Sequence, residues 1–438
     1  MTFKQGLVRA RSHLIFLTGL ISAFGLVSWL EGIQLGQAVT PESIIVTTEN
    51  IPIAPSRALN AEELAWAKTA WRYFQNNTIP ETGLVNSVDK YNASTLWDTS
   101  SYLMAVIAAY QLKIIEQTEF DQRINQALVS LAKLPLFDGK LPNKSYNTIS
   151  LQMVDYSNNP TEKGIGWSAV DIGRVLVPFN ILAWHYPQHT LAVHNVLQHW
   201  DMQSLLMKGS LQGAVVTDKG EVQYLQEGRL GYEEYAAKSF TLMGLDVANA
   251  LHYTDFLKLV DIYGVNVATD SRDPQKYQAH NYVVSEPYIL DGLEFGWDHL
   301  SQELAWRVYS AQERRFEHTG VLTAVSEDNI DQAPYFVYNT VFTDGEIWNA
   351  ITEKGEDASQ FKTLSTKAAF GWHVLYENNY TRQLMSKAAK LADQERGWYS
   401  GLYEISGEPN KAITANTNGI ILEALAYKQS GKLMKLGK

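Results

Sequence analysis

Most of five short segments place an aromatic residue beside a carboxylate or an amide, just ahead of an apolar stretch. They are Asn92-Ala93-Ser94-Thr95-Leu96-Trp97-Asp98-Thr99-Ser100, Gly164-Ile165-Gly166-Trp167-Ser168, Leu230-Gly231-Tyr232-Glu233-Glu234-Tyr235, Ser285-Glu286-Pro287-Tyr288 and Asn416-Thr417-Asn418-Gly419. The combination suits a sugar, whose ring stacks on aromatic faces while its hydroxyls bond to carboxylates and amides. A pair of carboxylates then supplies the acid and the base that glycoside cleavage needs.

The catalytic candidates are Glu234 or Glu233 for one carboxylate and Asp98, Asp171 or Glu286 for the other. Two neighbouring acids push one pKa upward, which keeps a general acid protonated. A helix dipole at Glu233 and Glu234 acts the other way. Each acid also has a plain structural use. Asp98 before Thr99-Ser100-Ser101 fits an N-cap, Asp171 can pair with Arg174 three residues on, and Glu286 before Pro287 fits a helix entrance. For binding, Trp97, Trp167, Tyr232, Tyr235 and Tyr288 would face sugar rings, Asn418 would supply an amide, and Arg174 would hold an acid in place. The loop Arg396-Gly397-Trp398-Tyr399-Ser400-Gly401-Leu402-Tyr403-Glu404 adds Trp398, Tyr399, Tyr403 and Glu404, with a packed lid as its other reading. Pro334-Tyr335-Phe336-Val337-Tyr338-Asn339 has a similar but less specific pattern.

Other chemistries fall away. The chain has no cysteine, which excludes disulfides, thiolate nucleophiles and cysteine-ligated metals. It has no GxxxxGK[ST] loop, no GxGxxG after a strand and no GxSxG elbow. His185, His189, His194 and His199 read as surface histidines rather than a metal site, and Glu327-Asp328-Asn329-Ile330-Asp331 as a solvated acidic loop. Nothing calls for a metal or a cofactor. A net charge of −11 argues against nucleic acid, while 12 Trp and 23 Tyr suit a stacking ligand.

The positioning elements are helices. Apolar residues recur at helical spacing near 61–77, 98–113, 120–134, 167–184, 189–206, 232–250, 254–263, 299–316, 358–376, 380–394 and 417–429, with a shorter helix from Pro287. Hairpins are expected around Asp218-Lys219-Gly220 and over Gly320–Val325. Some helices, such as Tyr102–Ala109 and Trp167–Leu182, are apolar all round. Others, such as Ala61–Gln75 and Phe120–Leu134, are amphipathic. A helix apolar on every side must be buried on every side. The alternation predicts an all-α (α/α)6 toroid over 59–430, with an inner and an outer ring and a tail at 431–438.

Ahead of it, Lys4, Arg9 and Arg11 precede an apolar run from Leu14 to Leu30. A basic flank at 1–13 before apolar residues 14–31 predicts a signal anchor in the inner membrane, or a cleaved signal. Residues 32–58, with Pro41, Pro52 and Pro55, read as a linker. Either way the body lies outside the cytoplasm, in the periplasm or beyond.

Several stretches resemble a bacterial family known as domain of unknown function 3131. They include Leu96-Trp97-Asp98-Thr99-Ser100-Ser101-Tyr102-Leu103, Gly166-Trp167-Ser168-Ala169-Val170-Asp171-Ile172-Gly173-Arg174, Gly228-Arg229-Leu230-Gly231-Tyr232-Glu233-Glu234-Tyr235, Gly397-Trp398-Tyr399-Ser400-Gly401 and Asn416-Thr417-Asn418-Gly419-Ile420, and the likeness runs from near Leu59 to near Lys428. The family looks like the glucoamylase-like (α/α)6 toroids, which implies polysaccharide processing at the envelope but supplies no established catalytic residue. The expectation is a glycoside hydrolase-like enzyme on an exopolysaccharide or periplasmic glucan. The rivals are a non-catalytic polysaccharide-binding component and a polysaccharide lyase.

Overall fold

Helices form where the sequence is apolar almost all round, at Leu96–Gln111, Ala169–His185 and Ala415–Ser430, and the side chains of Thr95, Ser168 and Thr414 cap them. A computed structural model of the protein describes residues 47–217 and 219–435. The run 14–31, its basic flank and residues 32–46 lie outside the described residues. Among the described residues, no helix is long and apolar enough to cross a membrane.

The principal helices are α1 (Ala61–Asn77), α2 (Leu96–Gln111), α3 (Gln117–Leu131), α4 (Ala169–His185), α5 (Thr190–Leu197), α6 (Tyr232–Leu242), α7 (Glu286–Leu290), α8 (His299–Thr319), α9 (Thr366–Leu375), α10 (Asn379–Ala388) and α11 (Ala415–Ser430). Helices α2, α4, α6, α7, α9 and α11 touch in that cyclic order, and α11 closes the ring against α2. The others pack outside: α3 on α2, α5 on α4, α8 on α7, α10 on α9 and α1 on α11. This is the (α/α)6 arrangement. Glycines let inner helices approach closely: a Cβ on Gly173 would lie 2.5 Å from that of Ala236, and one on Gly371 would lie 2.4 Å from Ile289 Cγ2.

The structure departs from an all-α chain in its loops, which carry short antiparallel strands. These include β1 (Ala93–Thr95) with β2 (Ser145–Asn147), β3 (Ser210–Val216) with β4 (Val222–Gln226), and β5 (Leu257–Ile262) with β6 (Val265–Asp270). Further on, β7 (Glu327–Asn329) pairs with β8 (Phe336–Asn339), while β9 (Thr363–Ser365) and β11 (Pro409–Ile413) flank β10 (Gly397–Tyr403). The hairpin around residues 218–220 is present, with Ala214 opposite Tyr224. None forms at Gly320–Val325, which is irregular.

The helix expected at 254–263 is largely strand β5. Tyr263 and Gly264, both at positive φ, make the two-residue turn that sends the chain back as β6. Helix α6 stops at Leu242 rather than 250, so the outer partner of α6 is only the turn Ala248–Leu251. Residues 358–365, expected as helix, form a 3-10 turn and β9.

Three surface expectations also change. Residues 48–58 lie along the helical body: Thr48 N donates to Glu303 at 2.8 Å, Ala54 N to the Leu375 carbonyl at 2.9 Å and Arg57 N to that of Lys428 at 2.8 Å. In the tail, the amides of Leu433 and Met434 bond to the carbonyls of Leu293 and Glu294, and both side chains are buried. His189 is buried rather than on the surface, with ring nitrogens 2.7 Å from Asp121 and 3.0 Å from Asn125.

Candidate active site

The first turns of the six inner helices meet at one end of the ring, and local capping decides what each presents. Thr95 caps α2 and Ser168 caps α4, each accepting the amide three residues on. Asp98 is therefore not the cap. Asp98 and Asp171 occupy the equivalent third position of their helices, and both residues are half-buried. Arg174, expected to pair with Asp171, pairs with two other acids.

Asp171 is pushed up to about 7, chiefly by burial and then by Glu227, with Asp98 adding to it and Lys144 opposing. Burial is also the main cause of a raised Asp98 pKa, which the Ser87 and Thr95 hydroxyls hold down. A carboxylate that meets solvent and is nevertheless desolvated lies at the floor of an opening. Glu227, absent from the candidates above, arrives from the end of β4. Its Oε2 accepts the amide N–H of Ala169, the first residue of α4. Gly213 makes room for it, because a Cβ there would lie 2.5 Å from Glu227 Oε2. Gly213→Ala should displace that carboxylate without unfolding the chain. If Glu227 serves catalysis, kcat should fall about tenfold or more with the melting temperature little changed.

Glu286 opens α7 and is buried. It accepts Trp97 Nε1 at 2.8 Å and Asn416 Nδ2 at 2.9 and 3.0 Å, and it pairs with Lys367. Helices α2, α7, α9 and α11 are thus joined around one carboxylate. Lys367 Nζ also lies 3.6 Å from Asp328 Oδ1. Asp328 and Glu327 are buried, not part of a solvated loop. Asp328 is pushed up to about 7, first by burial, against the pull of Lys367.

Beneath these groups Arg174 is fully buried. It donates to Tyr235 at 2.9 Å, Glu294 at 3.0 Å, Ser101 at 3.3 Å and Glu423 at 3.2 Å. Its guanidinium lies 4.8 Å from the centroid of Trp97, and Tyr232 meets the same indole edge-on at 5.5 Å. Trp97 and Tyr232 are half-exposed at the opening.

Glu233 and Glu234 are engaged elsewhere. Glu233 meets Arg272 at 2.7 Å and accepts Gln226 Nε2 at 3.0 Å. Glu234 Oε2 accepts the Gly231 amide, closing the capping box of α6, and burial holds its carboxyl well above the usual range. Several aromatic candidates are core residues whose faces no ligand can reach. Trp167 is buried and donates to the Gln212 carbonyl, Trp398 is buried against Phe370 and donates to that of Trp66, and Tyr288 is buried beside Gly231. Tyr235 donates to Glu294 at 2.6 Å, and Asn418 is buried and accepts the Trp398 amide. In the 396–404 segment, Tyr403 donates to Asp331, Glu404 pairs with Arg315, and Tyr399 lies 3.3 Å from Asp393. That segment is strand β10, packed on α1 and α9.

The raised carboxyls predict a pH effect on stability. Asp171, Glu233 and Asp328 hold protons in the folded chain up to about 7, whereas unfolded carboxyls release theirs near ~4. Their contribution is full below the unfolded value and is lost as pH rises through about 7. Glu63 is opposite in sign. Burial raises it, but Arg57, Asn60 and Lys428 together bring it to about 2, so its contribution is lost only as pH falls toward that value. Thermal melts should show higher stability at pH 5 than at pH 8.

A ring of inner helices inside a ring of outer ones is what the sequence likeness implied, and the match spans both rings. The chain belongs to the family described as protein of unknown function DUF3131, which matches residues 65–431. No curated protein matches the sequence. Among solved structures, this DUF3131 chain is similar to a candidate glucoamylase from Bacteroides caccae ATCC 43185, at 13% identity over 85% of this chain and 94% of that one, TM-score 0.59. It is also similar to the endo-β-1,2-glucanase of Chitinophaga pinensis in complex with sophorotriose and glucose, at 13% identity over 86% and 94%, TM-score 0.58. The endo-β-1,2-glucanase of Talaromyces funiculosus with sophorose follows at 12% identity over 85% and 84%, TM-score 0.56. At such identities the likeness is one of fold.

Proposed function

We propose that this DUF3131 protein is a glycoside hydrolase that cleaves a glucan-type polysaccharide by carboxylate acid/base catalysis. The observation that carries this reading is Asp171, half-exposed, raised to about 7 and under the influence of Glu227 and Asp98. A neutral carboxyl beside further carboxylates is the pairing that glycoside cleavage requires. Asp171 gives its proton to the glycosidic oxygen as the bond to the anomeric carbon breaks. Glu227, set at the positive end of α4, takes the proton of the attacking water, and Asp98 lies within reach of the same region. Trp97 offers a ring face, and Lys367 with Asn416 fixes Glu286 and so the Trp97 indole. The fold shared with two named endo-β-1,2-glucanases supports a β-1,2-glucan as the first substrate to try.

We further propose that the body works at the cell envelope outside the cytoplasm, held by residues 14–31. The basic flank before that apolar run supports this placement. Incubation with linear glucans and chromatography of the products tests the activity. New reducing ends are expected, and glycan bound but recovered intact would favour a binding component instead.

A further inference from the structure

Glu227 follows the end of β4 and reaches across to the first turn of α4, and a closed circuit of hydrogen bonds fixes the backbone on which it stands. Its amide donates to the Leu211 carbonyl at 3.0 Å. Its carbonyl accepts Gln226 Nε2 at 2.8 Å, and the same nitrogen reaches the Gly228 carbonyl at 3.4 Å. Both peptide groups that flank the Glu227 Cα are therefore held. Gln226 is held in turn at both ends of its side-chain amide. Its Oε1 accepts Arg229 Nη1 at 2.6 Å, and its Nε2 donates to Glu233 Oε1 at 3.0 Å. Turned the other way, the amide would set nitrogen against the arginine and oxygen against the carboxylate, so its partners admit one orientation.

The circuit runs on through ion pairs. Glu233 Oε2 meets Arg272 Nη2 at 2.7 Å, and the same nitrogen meets Asp270 Oδ2 at 2.6 Å. Asp270 Oδ2 accepts the amide of Leu230 at 3.1 Å, which returns the circuit to the residue after Arg229. Asn281 Nδ2 pins the far side, donating to the carbonyls of Asp270 at 2.9 Å and Arg272 at 2.7 Å. Arg229, Glu233, Asp270 and Arg272 are all buried, and charge-assisted hydrogen bonds of this kind are roughly twice as strong as neutral ones. Gly228 lets the chain pass close to α6: its φ is +92°, and a Cβ on it would lie 2.7 Å from that of Glu233.

We propose that Gln226 is the positioning residue of Glu227, held in place by the circuit through Arg229, Leu230, Asp270, Arg272 and Glu233. The inference rests on reading Glu227 as a catalytic carboxylate of a glycoside hydrolase. It gives Glu233 a use as the acceptor that orients Gln226. A misplacement of about 1 Å at a reacting group can cost about 10²-fold in rate, which is what such bracing prevents.

The test measures kcat and KM on the glucan that the wild type cleaves, using the full chain as wild type, Gln226→Met, Glu227→Gln and the double variant, with Glu233→Gln and Glu233→Met beside them. Melting curves show which variants are folded. Gln226→Met keeps the length of the side chain and removes its amide. It should lower kcat about tenfold or more with KM little changed. In the Glu227→Gln chain it should lower kcat no further, because nothing remains to be positioned. The fall of kcat at high pH should also begin at lower pH in Gln226→Met, since a displaced Glu227 no longer helps to raise Asp171. Glu233→Gln, which keeps an oxygen for the Gln226 amide, should retain more kcat than Glu233→Met, and this pair decides the matter if Gln226→Met does not fold. Unchanged kcat in a folded Gln226→Met chain, an equal loss with and without Glu227→Gln, or equal kcat in the two Glu233 variants would overturn the positioning role while leaving the hydrolase standing. No cleavage by the wild type, or wild-type kcat in Glu227→Gln, would overturn the reading of Glu227 itself and the positioning with it.

Discussion

On the proposed hydrolase reading, Asp171→Asn is expected to lower glycan cleavage by about 10²–10⁴-fold and to leave the chain folded. That range is what one positioned acid contributes. The substitution keeps the shape of the side chain and removes only its proton chemistry. The third position of α4 keeps its cap, because the Ser168 hydroxyl accepts the backbone amide there, which the substitution leaves untouched. Desolvation and the nearby Glu227 and Asp98 raise the Asp171 pKa, so the ionised form is strained and an amide relieves that strain. Above pH 7 the variant should be at least as stable as the wild type. The wild-type rate should fall as pH rises through about 7, because the acid must be protonated to act. A kcat–pH profile shows that limb, and the residual activity of Asp171→Asn should lack it.

Arg174→Met should destabilise the protein by about 3–5 kcal/mol, the effect of removing one partner of a buried ionic group. The guanidinium bridges Tyr235 on α6, Glu294 after α7, Ser101 on α2 and Glu423 on α11 from its own place on α4. Like Glu286, it joins four inner helices around one charged group. Glu294 and Glu423 are both raised, chiefly by burial, and Glu423 is held well above the usual range, with Glu294 as its next cause. Burial and Glu294 thus oppose the ionisation of Glu423 beside the one cation. Adding Glu294→Leu and Glu423→Leu to Arg174→Met should recover part of the loss, since apolar residues remove the uncompensated groups as well. Urea unfolding of the three proteins measures this. A change below about 1 kcal/mol for Arg174→Met alone would show that the network is not the keystone of the ring.

The inner and outer rings were legible because burial on every side leaves a plain trace in sequence, as in α2 and α11. The strand at 257–262 was not, because a short apolar run fits either period and Tyr263-Gly264 carried the deciding turn. Asp98 and Asp171 could be singled out from their aromatic neighbours, but their role as third residues depended on recognising Thr95 and Ser168 as the caps. Glu233 and Glu234 looked equally suited, but Glu233 is occupied by Arg272, far along the chain, and Glu234 by the capping box it closes on Gly231. Glu227 and Lys367 left no usable signal. Glu227 reaches the site through a space at Gly213, and Lys367 was hidden inside an overlong helix. Asn416 lay in a segment already singled out, where its neighbour Asn418 drew the attention.

The central claim is that the acids at the open end of the inner ring cleave a glycan. The most direct measurement is the release of reducing ends from linear β-1,2-glucan by the wild type and by a chain carrying Asp171→Asn together with Glu227→Gln. Release by the wild type and none above background by the variant is the expected result. Equal release by both, or no release from any glucan by a wild type that binds them, would contradict it.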